Sequence, residues 1–326
     1  MFNKALCMAA VMAAMGSSAL ATEKMRISLQ LPLTSHLGEN LLLFEKEVEA
    51  RTNGAIDVEI YDSAQLYKDK EVPAAVGSGA IEAGVASLTR YVGDAPAVDV
   101  FYMPFLFNTE DKVRAAVAEG SPVRSALEAE VAKTGGQILF WQAYGGAIML
   151  SNGGPIKTPE DMKGKKVRVF GKTLGDFVSA AGGAPTLISG SEQYLAYQRG
   201  TVDVGMTGVS GVKSRKLWEV MDTITVTNHA DIEFVVVVNT EWWNGLSEEL
   251  RGQITEAAAV AQADVRDRMS QIEADAYAAA KENGMTVVEL SDEDLAAWKA
   301  VVQPVYDAYL AAAGDVGKSI LDAVDN

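Results

Sequence analysis

Few side chains in this sequence are placed to do covalent chemistry. There are two histidines, His36 and His229, and neither stands in an HExxH or comparable metal-ligand spacing. The single cysteine, Cys7, lies in the apolar N-terminal run. No G-x-S-x-G elbow is present, and no G-x-G-x-x-G follows a strand pattern. Gly205 to Ser214, GMTGVSGVKS, is superficially like a phosphate-cradling loop, but Lys213 does not directly follow a glycine, so the spacing fails. Acidic residues are abundant and sit mainly in helical surface patterns. A carboxylate pair assembled across space for glycoside hydrolysis is the enzymatic reading left open. The basic residues are more suggestive. Lys163, Lys165, Lys166 and Arg168 fall together in TPEDMKGKKVRV. The lysines read as a solvated edge, while Arg168 sits inside a short apolar strand. From its residue type alone, Arg168 reads as a structural or surface ion pair.

Composition narrows the field. The 326 residues carry 28 basic and 44 acidic side chains, a formal charge of −16. Such a surface argues against nucleic acid as a partner. Any site for an anion must therefore concentrate positive charge locally. Lys4 followed by the apolar run Ala5 to Met15, with Ala19-Leu20-Ala21 behind it, reads as a secretory signal cleaved after Ala21. The run is too short for a permanent membrane helix. Cleavage would remove Lys4 and Cys7, leaving 27 basic against 44 acidic residues and no thiol. A mature chain without cysteine relies on packing, with no disulfide and no Cys-ligated metal. Neither a cofactor nor a resident metal is expected.

The elements that would position these residues alternate strand and helix. Met25–Leu31, Ala55–Tyr61 and Ile81–Ala86 read as strands, separated by helical patterns over Leu37–Arg51 and Asp69–Gly77. The aromatic stretch from Phe101 to Phe107 reads as core packing, and two helices follow within Glu110–Lys133. A second α/β rhythm runs from Lys165 to Met206. Between the two units the chain crosses twice in extended segments, Gln137–Asn152 and then Ile224–Asn239. The spacing over Ser247–Asn283 predicts one continuous amphipathic helix on the order of 50 Å long, enough to brace two lobes. Two further helices, Asp292–Ala313 and Val316–Ala323, close the chain. The fold expected is α/β with two discontinuous lobes: a signal at 1–21, lobe I from 22–145 and 232–272, and lobe II from 146–231 and 273–326.

The block Thr158 to His229 resembles the solute receptors of tripartite ATP-independent periplasmic (TRAP) transporters, which include C4-dicarboxylate and sialic acid binders. The shared landmarks are TPEDMKGKKVRV, GGAPT, SEQYLAYQRGTVD and KLWEVMDTITVTNH. The likeness extends upstream through VEARTNGAIDVEIYDSAQLYKDKE and IEAGVASLTRY, and downstream through VNTEWWNGLSEELR. It implies two lobes joined by hinge strands and a long helix across both. It also implies periplasmic residence, a small organic anion as ligand, and delivery to a small and a large integral membrane subunit.

The resemblance makes Arg168 the carboxylate-gripping residue. A second basic position of the family falls at Ala147, with Arg90 the candidate to compensate or else a lobe-surface arginine. Gln30 matches a polar contact, and Asp69 a position that touches ligand hydroxyls. Ser87 stands where the sialic acid binder has glutamate, and Thr207 where many members have asparagine. Gly190 replaces a covering aromatic. Tyr144 and Trp141 are candidates to fill that space, and both also read as core or hinge packing. These departures argue against sialic acid. They suggest a pocket with one firm arginine for a small carboxylate bearing hydroxyl, keto or amide groups, with a sulfonate as the alternative. The polar stripe of the long helix suggests a monomer.

Overall fold

A computed structural model describes residues 22–325. The proposed signal segment lies outside the described residues. The first unit comprises β1 (Glu23–Ser28), α1 (His36–Arg51), β2 (Ile56–Tyr61), α2 (Val72–Gly77) and β3 (Ala83–Ser87). Ser35 caps α1 by accepting from the Gly38 N–H at 3.1 Å. The buried stripe Leu37, Leu41, Phe44 and Val48 seats the helix on the core. Two 3-10 turns, Leu88–Tyr91 and Pro96–Tyr102, lead into α3 (Glu110–Val117) and α4 (Pro122–Ala132). Between them the aromatic stretch is packed, with Phe101 stacked on Phe107 at 4.4 Å.

The long strand β4 (Gly136–Ser151) carries the chain across to the second unit. There follow α5 (Pro159–Met162), β5 (Lys166–Val169), α6 (Lys172–Ala180), β6 (Ala184–Leu187), α7 (Gln193–Gln198), β7 (Val204–Gly208), α8 (Val209–Ser214) and β8 (Thr223–Val226). The return strand β9 (Asp231–Asn239) re-enters the first unit, followed by α9 (Thr240–Gly245). The remainder is α10 (Glu248–Asp267), α11 (Met269–Glu282), β10 (Thr286–Glu289), α12 (Asp292–Lys299) and α13 (Gln303–Asp325).

The strands form two half-sheets that share β4. The first runs β2-β1-β3-β9-β4, with β1 parallel to β2 and β3, and β9 antiparallel to its neighbours. In the second, β7 and β8 flank the far end of β4, β5 and β6 extend one edge, and β10 the other. Gly136–Gly146 of β4 pairs with β9, and Ala147–Ser151 pairs with β7 and β8. The changeover lies at a bulge between Ala143 and Gly145. Gly145 has φ +93°, and a Cβ there would lie 2.3 Å from Glu273 Oε1, so only glycine fits this bend. The unbroken valine run 235–238 fits the centre of a sheet covered on both faces, and all four residues are buried.

The helix expected over Ser247–Asn283 is two helices, α10 and α11, broken at Arg268 (φ −88°, ψ −6°). Alpha-helix α10 packs on α1 and β4 of the first unit, while α11 packs on α8 of the second. The lobe-spanning brace is therefore present but jointed. Two further details differ from the sequence reading. Strand β10, four residues pairing in parallel with β8, was too short to register as a pattern. Helix Asp292–Ala313 is interrupted after Lys299 and restarts at Gln303, beside Pro304, which lacks an N–H for a helix interior. Gly314 (φ +56°, ψ −141°) bends α13 where a separate helix was expected to begin.

Candidate functional site

Both half-sheets point the carboxyl ends of their parallel strands at one cleft, where α/β folds place ligands. From the first unit come Gln30, two residues past β1, Ser87, the last residue of β3, and Asp69, from the loop after β2. From the second come Arg168 on β5, Phe170 just beyond it, Gly190 after β6, Gln193 on α7, Thr207 on β7 and Arg215 at the end of α8. The shared strands β4 and β9 supply Tyr144, Ile232 and Phe234 as the floor. These residues line one cavity between the lobes. The lobes are closed on each other. Across the cleft, Lys68 Nζ pairs with Glu192 Oε1 at 2.7 Å. Deeper in, Asp99 Oδ2 accepts from the Thr173 N–H at 3.2 Å and its hydroxyl at 2.8 Å.

Arg168 is the centre of the site. Alternation along β5 sends Val167 and Val169 to one face and Arg168 to the other. Its side chain is buried, yet no carboxylate forms an ion pair with it among the described residues. Instead Nε donates to Ile188 O at 3.0 Å, Nη1 donates to Met206 O, and the guanidinium carbon lies 5.2 Å from the Phe170 ring centre. These contacts, with the Tyr197 hydroxyl close by, fix the guanidinium at the cavity wall. Burial lowers its pKa to about 10, and the nearby Arg90 and Arg215 guanidiniums act in the same direction. The group stays charged at neutral pH and uncompensated by protein.

Asp69 and Arg90 form a buried pair. Asp69 Oδ2 accepts from Arg90 Nε at 2.8 Å and from Ser87 Oγ at 3.3 Å. Asp69 Oδ1, Arg90 Nη2 and Gln30 Oε1 are buried without a protein partner. Arg90, weighed as a replacement for a missing base, is thus engaged by Asp69. Arg215 was missed in the sequence. It donates through Nη1 to the Tyr144 hydroxyl at 3.1 Å and has no carboxylate partner among the described residues. Its one signal lay in the basic run Lys213, Arg215, Lys216 at the end of α8.

Seven of the sequence-derived residues, Gln30, Asp69, Ser87, Tyr144, Arg168, Gly190 and Thr207, line this cavity. Ala147 does not; it is a buried strand residue whose N–H donates to Ala230 O at 2.8 Å. Trp141 is also elsewhere, buried with Nε1 donating to Glu128 at 3.0 Å. The expectation of one arginine is corrected: Arg168, Arg215 and Arg90 oppose one carboxylate, Asp69. Local positive charge thus arises inside a chain of net charge −16. Among the described residues no cluster of three or more His, Cys, Asp or Glu side chains is set to hold a metal ion, and no helix is long and apolar enough to cross a membrane.

Comparison with known proteins agrees with this architecture. Residues 27–312 match the family described as bacterial extracellular solute-binding protein, family 7. The C4-dicarboxylate-binding periplasmic protein DctP of Rhodobacter capsulatus is 33% identical over 274 residues, covering 83% of this chain and 81% of that one. The TRAP periplasmic solute-binding protein of Shewanella oneidensis, solved with bound succinate, superposes with a TM-score of 0.87 at 25% identity, covering 93% of this chain and 98% of that one. A Bordetella pertussis extracytoplasmic solute receptor that binds pyroglutamic acid superposes with a TM-score of 0.88 at 19% identity, covering 93% and 99%. By the extent of the family match and its agreement with the two-lobed fold, the chain belongs to the DctP family of TRAP periplasmic solute-binding proteins.

Proposed function

We propose that this protein captures a small organic acid between its lobes, with the acid's carboxylate held by Arg168, and presents it to the membrane subunits of a TRAP transporter. The family is one of binding proteins, not enzymes. The observation that carries the reading is a buried, fixed guanidinium without a carboxylate partner. A bound carboxylate supplies the missing charge through two N–H···O contacts. Free acceptors on Gln30 and Asp69 favour a ligand that also brings a hydroxyl or amide donor.

Lobe I (22–145 and 232–272) supplies Gln30, Asp69 and Ser87; lobe II (146–231 and 273–326) supplies Arg168, Gly190 and Thr207. A ligand that bridges both lobes stabilises the closed form by population shift. Residence in the periplasm, a cleaved signal after Ala21, a monomeric state, and docking onto a small and a large membrane subunit complete the reading. A sulfonate is the alternative ligand, since the same guanidinium fork accepts its oxygens.

The test is a melting screen of the mature protein, unfolded and refolded to strip carried-over ligand. The panel holds carboxylates, sulfonates, amino acids and neutral sugars. A ligand at ~100 times its Kd adds about 2.7 kcal/mol of stability, a readily measured shift. Shifts confined to carboxylates support the reading, and shifts confined to sulfonates favour the alternative. Shifts only with neutral or cationic compounds overturn it.

A further inference from the structure

We propose that Asp99 is an interlobe latch: it caps helix α6 of the opposite lobe, so that the closed form is held in part by the protein itself, whatever the ligand. The inference rests on the two-lobe reading above and adds a device that acts outside the ligand cavity.

The start of α6 is incomplete within its own lobe. Its N-cap position is Gly171, which has no side chain to offer, so the first N–H groups of the helix need another acceptor. Lobe I supplies it. Asp99, in the 3-10 turn Pro96–Tyr102, receives the Thr173 N–H at 3.2 Å and the Thr173 hydroxyl at 2.8 Å, both on Oδ2. Thr173 is the second residue of the helix, and its N–H is one that an N-cap side chain ordinarily takes. A carboxylate at this place also meets the positive end of the helix dipole.

Glycine at 171 serves closure a second time. A Cβ there would lie 2.3 Å from Thr89 Oγ1, and the next two nearest atoms, at 3.1 and 3.2 Å, also belong to the Thr89 side chain. The Gly171 backbone, φ −152° and ψ 162°, is open to any residue. The nearest obstacle to a side chain here is therefore the other lobe. A serine or aspartate at 171 would cap α6 from within lobe II and hold the lobes apart; glycine leaves the cap to Asp99.

Asp99 is fully buried and does not line the ligand cavity. Burial raises its pKa, against the Thr89 and Thr173 donors and the charge of Lys172. Nearby, Tyr102 of lobe I meets Phe170 of lobe II edge to face at 5.8 Å. At the mouth, Lys68 pairs with Glu192. All of these contacts join protein to protein. A ligand therefore shifts a balance between open and closed forms that they have already set.

The experiment is double electron–electron resonance on the stripped protein, expressed from Thr22 so that Cys7 is left out. Nitroxides go on Lys70→Cys and Leu195→Cys, exposed positions on opposite rims of the cleft. Ligand-free wild type is expected to show a closed-distance component. In Asp99→Ala the closed-to-open ratio should fall about five-fold, the usual worth of one N-cap. Asp99→Asn keeps an acceptor and sheds the buried charge, and should close at least as well as wild type, which separates a lost cap from a lost fold. Gly171→Ala should remove the closed component, and Thr89→Gly in the same chain should restore part of it. A ligand-free wild type with no closed component overturns the proposal. So does an unchanged ratio in Asp99→Ala, or a Gly171→Ala protein that closes like wild type. A single distance in wild type, unmoved by Asp99→Ala and by succinate or pyroglutamate, means that the lobes do not close at all, and the two-lobe reading has failed instead.

Discussion

Glu233 and Arg266 meet through two parallel hydrogen bonds, Nη1 to Oε1 at 2.6 Å and Nη2 to Oε2 at 2.7 Å. The pair fastens strand β9 to α10 two residues before the break at Arg268. Glu233 is fully buried, and burial, with the neighbouring Glu233 carboxylate adding to it, raises the pKa of Asp231 well above the usual carboxylate range. The joint between the lobes is therefore pinned by a desolvated ion pair.

Removing one partner of such a pair strands the other charge. Arg266→Met should cost about 3–5 kcal/mol in urea unfolding, whereas Glu233→Leu combined with Arg266→Met should recover most of that loss. A double variant no more stable than the single would show that the pair is worth more than its apolar replacement.

Arg168 carries a different trade. Burial lowers its pKa to about 10, so keeping the charge buried costs the ligand-free protein on the order of a few kcal/mol. Arg168→Met relieves that cost but leaves the carbonyls of Ile188 and Met206 without their donor, at about 1–3 kcal/mol each. The two effects are of similar size, so the variant should melt within a few degrees of the ligand-free wild type. Ligand-induced shifts should vanish. A collapse in melting temperature would mean that Arg168 is chiefly structural.

His229 sits in the second hinge crossing, buried, with Nδ1 2.7 Å from Thr227 Oγ1 and Nε2 unpartnered. Burial lowers its pKa to about 3. Between that value and ~6.5 the unfolded chain binds a proton that the folded chain refuses. Stability should therefore fall as pH drops below ~6.5, by about 1.4 kcal/mol per pH unit from this residue. Urea unfolding at pH 4.5 to 8 should show a shallower loss in His229→Gln by about that slope. Parallel curves for the two proteins would show that His229 accepts its proton in the fold. His36, lowered to about 4 by burial, acts in the same direction and is common to both proteins.

Much of this architecture is legible in the residues because periodicity reports local structure. Alternation in β2 and the apolar stripe of α1 name their elements unaided, and the two crossings follow from extended runs between α/β units. Joints are harder to read. The apolar spacing of α10 continues in phase into α11, so nothing in the pattern marks Arg268. Four-residue β10 is shorter than any period can resolve. At the site, Arg168 was legible because it falls in TPEDMKGKKVRV, a stretch that resembles a known family's ligand-gripping segment. Arg215 was not, because its place in the cavity wall depends on a tyrosine 71 positions away. Ala147 illustrates the converse: a position matched by alignment whose side chain has no access to the cavity. Such relations across space have no signature in a single sequence.

The most direct test of the account is a crystal structure of the mature protein with the acid that gives the largest melting shift. The acid should lie between the lobes with one carboxylate on the Arg168 guanidinium, making two N–H···O contacts of ~2.7–2.9 Å. An acid bound in the cleft with no carboxylate oxygen within ~4 Å of that guanidinium would contradict the account.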